Sequence, residues 1–127
     1  MKKIQKTTAE ESFMKSANVY AMARREFNHK KSNPAFDKMM RSARDIRLSH
    51  ADGGKAFFTE IIADSRSEIV FCAAFILIPL DPELARRTLK GLSNDNSTEV
   101  KVGSKITLEE WEKGTLDVDW YMVDPST

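Results

Sequence analysis

Glycine is scarce in this chain, with five residues in 127, and histidine and cysteine are scarcer, at two and one. So few glycines leave little material for a phosphate-cradling loop. The one glycine pair, Gly53-Gly54, lacks the G-x-x-x-x-G-K-S/T or G-x-G-x-x-G setting that nucleotide binding requires. A single cysteine excludes an intrachain disulfide, and Cys72 lies inside an apolar run, as a buried thiol in a reducing compartment would. A zinc site needs three or four ligands, and Cys72, inside its apolar run, cannot join the two histidines without breaking the core. His29 and His50 fall in predicted segments between helices, and nothing in the sequence pairs either with a nucleophile. No catalytic, cofactor-binding or metal-ligating residue is assigned, and enzymatic activity is not expected.

Long apolar runs are also missing. The longest, Ile69 to Leu80, spans 12 residues, whereas a membrane-crossing helix takes about 20. Lys2 and Lys3 are followed by a polar stretch, Gln5 to Ser12, where a signal peptide would need apolar residues. A cytoplasmic protein without membrane association is expected.

What is present is an ordinary globular composition, 41% hydrophobic and 31% charged, in a chain of one-domain size. A single domain over residues 1–127 is expected, with an irregular tail over 115–127. The net charge of +1 hides a strong polarity. Residues 1–50 carry 12 Lys and Arg against 5 Asp and Glu (+7), and residues 51–127 carry 8 against 14 (−6). Separated charge of this kind steers association with charged partners.

The punctuation is that of helices. Thr8-Ala9-Glu10-Glu11 has capping-box spacing, and Phe13, Ala17, Tyr20, Ala21 and Phe27 recur at helical intervals as a core face. Asn33-Pro34 is a strong helix start, followed by a stripe of Phe36, Met39, Met40, Ala43 and Ile46 that ends at Asp52-Gly53-Gly54. A short helix carries Phe57, Phe58, Ile61 and Ile62. Ser65 to Glu68 repeats the capping-box spacing ahead of Ile69 to Ile78, which is apolar on all sides. That run suits a central helix, favoured by the cap and by Ala73-Ala74, and its β-branched residues also suit a buried strand. Asp81-Pro82 opens a helix with Leu84, Ala85, Thr88, Leu89 and Leu92 inward. Thr98 to Val102 reads as a short extended piece, and Thr107 to Glu110 as a capping box heading a last helix that Gly114 stops.

Asp64 leading into Ile69, Ala73, Ala74 and Leu77 resembles the second helix of a HEAT-type repeat, although Val70 stands where such repeats often carry arginine. Together with the Pro79-to-Leu92 segment, the ending Thr107-Leu108-Glu109-Glu110-Trp111-Glu112-Lys113-Gly114-Thr115-Leu116 resembles a bacterial family of short HEAT-like proteins of unknown function. Their tails read T-L-x-E-W-x-x-G-x-L. The resemblance covers about residues 33–116 and fills all six defined tail positions. It implies an all-α fold, a short α-α superhelix of about six antiparallel helices in a HEAT/ARM-like stack. Some members are similar to immunity proteins encoded beside secreted bacterial toxins, which implies a non-catalytic protein partner, a cognate toxin.

Two charged faces are the candidate sites. Glu109, Glu112, Asp117 and Asp119 surround Trp120 and Tyr121, an aromatic anchor ringed by carboxylates that suits a basic protein; the two aromatics equally suit packing back onto the helices. Lys38, Arg41, Arg44 and Arg47 recur every three residues and form an alternative, phosphate-binding face for nucleic acid, or else a solvated outer surface.

Overall fold

A computed structural model describes residues 8–64 and 66–123 of the chain. The protein is all-α. Among the described residues there are six α-helices, a 3₁₀ turn and no strand. The chain divides into two compact units, residues 1–50 and 51–127, so the structural division falls where the sequence charge changes sign.

The first unit is a helical hairpin, α1 (Ala9–Arg25) and α2 (His29–Ser49). The Thr8 capping box forms as its spacing predicts: Glu11 N–H donates to Thr8 Oγ1 (3.1 Å), and Thr8 N–H donates to Glu11 Oε1 (3.0 Å). Phe13, Ala17 and Ala21 of α1 and Met39, Ala43 and Ile46 of α2 are all buried. Alanines among the larger side chains let the helices approach closely, and a hydrogen bond between Ser12 Oγ and Ser42 Oγ (2.8 Å) crosses between them.

The hairpin turn departs from expectation. Helix α2 starts at His29, capped by Asn28, whose Oδ1 accepts from Lys31 N–H (3.3 Å). Pro34 therefore lies inside the helix and removes one rung, the bond to the Lys30 carbonyl. Phe27, expected in the core, is 77% exposed at the tip of the hairpin.

In the second unit α3 (Lys55–Asp64), α4 (Ser67–Leu77), α5 (Pro82–Leu92) and α6 (Thr98–Lys113) follow one another, with a 3₁₀ turn at Trp120–Met122. Asp52 organises the entry to α3, accepting from the backbone N–H groups of Gly54 (2.8 Å) and Ala56 (2.9 Å). The ambiguous apolar run is helix α4, and it packs against α3, α5 and α6. Burial on three sides explains why it is apolar all round. Its expected capping residue, Ser65, lies outside the described residues; Arg66 occupies the N-cap without a side-chain capping bond. Cys72 is buried and not disulfide-bonded.

Asp81 caps α5 through Leu84 N–H (3.3 Å), with Pro82 in its first turn as read from the sequence. Thr98 to Val102 is the first part of α6 and not extended. Ser97 caps it, accepting from Val100 N–H (3.4 Å). Consequently Thr107 lies mid-helix and caps nothing; its hydroxyl donates to the Gly103 carbonyl (2.8 Å). Val100, Ser104 and Thr107 form the buried stripe of α6. Val100 joins Val70 and Leu92 in a cluster flanked by Ile62 and Phe71. Gly114 ends α6 in the left-handed conformation (φ 75°).

Candidate functional site

Of the acidic candidates in the second unit, Glu109, Glu112, Asp117 and Asp119 are exposed. The two aromatics take different roles. Tyr121 is buried, only 5% exposed, with its ring centroid 6.5 Å from that of Phe75. It therefore anchors the tail and is not itself presented to a partner. Trp120 stands edge-on against it, centroids 6.0 Å apart, and remains 43% exposed. A hydrogen bond from Asp119 N–H to Asp117 Oδ1 (3.1 Å) shapes the backbone just before the indole. Trp120 is thus an exposed ring on a buried support.

Trp111 is half-buried, and the Arg86 guanidinium lies 4.2 Å from its ring centroid, a cation–π contact between α5 and α6. Arg86 Nη1 also lies 3.9 Å from Glu112 Oε2. Both contacts tie the last helix to its neighbour. Val102 and Ile106, one turn apart on α6, are about half exposed.

The basic candidates do not form one face. An interval of three residues turns a helix by about −60° per step, so four residues at that interval spread over half its circumference. Lys38 and Arg41 are exposed and line a groove of about 590 Å³ between α1 and α2, whereas Arg44 and Arg47 are half-buried and do not line it. The groove adds Lys15 from α1 and Lys30 and Lys31 from the first turn of α2. Lys30 and Lys31 lie near the basic stretch in sequence, whereas Lys15, on the other helix, was missed. The 3.6-residue period would have shown Lys31, Pro34, Lys38 and Arg41 on one line of the helix.

His50 is not a free loop histidine. Its Nε2 lies 2.7 Å from Glu10 Oε2 and its Nδ1 3.1 Å from Ser49 Oγ, so the ring links the end of α2 to the start of α1. Among the described residues no three His, Cys, Asp or Glu side chains are placed to hold a metal ion, and no helix is long and apolar enough to cross a membrane. Compared with protein families, curated proteins and solved structures, the chain matches none.

Proposed function

We propose that this protein is a non-catalytic binding domain of the immunity type, a cytoplasmic HEAT-like helical stack that binds a bacterial toxin and neutralises it by covering its surface. The observation that carries this is the state of Trp120, an indole 43% exposed yet held against the buried Tyr121. Interface hot spots are enriched in tryptophan, and a ring already fixed in place loses little freedom on binding. The exposed carboxylates Glu109, Glu112, Asp117 and Asp119 on the same helix end and tail match a basic partner surface. Exposed Val102, Ile106 and Val123 add apolar area to the second unit. An interface of ordinary size covers about 800 Å² of each partner.

The test is co-expression with the product of the adjacent gene. A stable complex, protection of cells from that product, and loss of both in Trp120→Ala are the expected results. A folded protein that neither binds nor protects overturns the toxin-neutralising function.

A further inference from the structure

We infer that the groove between α1 and α2 binds single-stranded nucleic acid through its phosphate backbone. The groove is lined by five cations, Lys15, Lys30, Lys31, Lys38 and Arg41, against one carboxylate, Asp37. All five cations are exposed. Every residue lining it belongs to the first unit, whereas Trp120 belongs to the second.

Local stability does not account for this distribution of charge. The N-terminal end of a helix carries positive partial charge and favours acidic side chains. Helix α2 has no acidic residue in its first turn, and starts His29-Lys30-Lys31. Two cations are therefore placed where the backbone itself is already electropositive. An anion in the groove would be attracted by the lysines and by the helix end together.

The spacing suits a linear polyanion. From Lys30 to Arg41 helix α2 rises about 16 Å, the length over which a stacked strand presents about five phosphates at ~3.4 Å each. The turn preceding Lys30 carries Phe27, exposed and in the left-handed region at φ 55°. Glycine or asparagine fits that backbone better, so the aromatic is kept at a conformational cost. Phe27 does not line the groove but precedes Lys30 by one short turn of chain, and an exposed aromatic so close in sequence to a row of cations suits a single strand, backbone on the cations and a base stacked on the ring. An acidic peptide would use the cations and leave Phe27 without a role.

The full chain is titrated with a fluorescein-labelled 15-nucleotide oligodeoxythymidine and followed by anisotropy. Five phosphate contacts give a log–log salt slope of about −3.5, roughly a 100-fold loss of affinity between about 50 and 200 mM salt. Lys31→Gln/Lys38→Gln/Arg41→Gln should flatten the slope to about −1.4. Phe27→Asn, which suits the turn and should fold at least as well, is expected to weaken binding about 10-fold through lost stacking. Trp120→Ala should leave oligonucleotide binding unchanged, so failure of this site and failure of the toxin-binding surface are separate results. Absence of binding at about 25 mM salt overturns the inference. Equal competition by polyglutamate, or equal binding of a duplex of the same length, overturns the assignment to a single strand.

Discussion

Phe27 and Gly114 occupy the same position in two copies of one helix-ending turn. After α1, Phe27 N–H donates to the Arg24 carbonyl (3.1 Å) and Asn28 N–H to the Ala23 carbonyl (2.8 Å). After α6, Gly114 N–H donates to the Trp111 carbonyl (3.1 Å) and Thr115 N–H to the Glu110 carbonyl (2.9 Å). Both are Schellman turns, and each central residue has positive φ, 55° and 75°. Glycine takes that conformation without strain, whereas a residue with a β-carbon does so at about 1–2 kcal/mol.

Phe27→Gly should therefore stabilise the protein, by about 1 kcal/mol after allowing for the greater freedom of glycine in the unfolded chain. The ring is exposed, so little packing is lost. A rise in the urea midpoint at unchanged m-value is the expected reading, and a fall would show that the ring stabilises the turn.

The remaining helical glycines are not equivalent. Gly91 in α5 has open space where a β-carbon would stand, while a β-carbon on Gly103 in α6 would lie 3.3 Å from the Phe71 ring. Gly91→Ala should gain about 0.5–1 kcal/mol from helix propensity. Gly103→Val, driving two further methyl groups towards Phe71, should lose about 1–3 kcal/mol. Gly114→Ala should lose about 1 kcal/mol, because the space around it is open and only its backbone is strained. Thermal melts of the three variants test this ordering, and a stabilised Gly103→Val would contradict the packing.

Most of the helical framework was legible because its signals are local. The Thr8 and Asp81 caps, the left-handed Gly114 and the apolar run of α4 each express backbone bonding or burial within a few residues. The errors arose where two local signals competed. Asn33-Pro34 is a good helix start, but Asn28 caps a turn earlier, and the intervening Ser32 is fully buried. Thr107 to Glu110 matches a capping box, but Ser97 starts the helix and Thr107 belongs to its buried stripe. The groove was hidden for another reason. Lys31, Lys38 and Arg41 share one side of α2, but only the hairpin brings Lys15 of α1 to the same groove.

Adjacent Trp120 and Tyr121 should separate binding from stability. Tyr121→Ala removes a buried ring and its contact with Phe75, and should cost about 2–4 kcal/mol. Trp120→Ala removes a ring already partly in water and should cost less than about 1 kcal/mol, while it abolishes partner capture. Denaturant titration and pull-down on the same two variants give both readings. Equal losses of stability would assign both rings to the core and leave the acidic face without an anchor.

The His50–Glu10 contact is a long-range polar tie in the hairpin whose contribution can be measured directly. His50 Nε2 lies 2.7 Å from Glu10 Oε2 and Nδ1 lies 3.1 Å from Ser49 Oγ, so both ring nitrogens are engaged. Both partners are partly exposed, at 32% and 45%, so water screens the interaction and its coupling should be modest, about 0.5–1 kcal/mol. A double-mutant cycle of Glu10→Ala and His50→Ala measures it. Because the contact closes the open end of the hairpin, either variant should also speed amide exchange in the first turns of α1, with less effect at the Phe27 end. Uniform acceleration along both helices would show instead that the hairpin opens only as a whole.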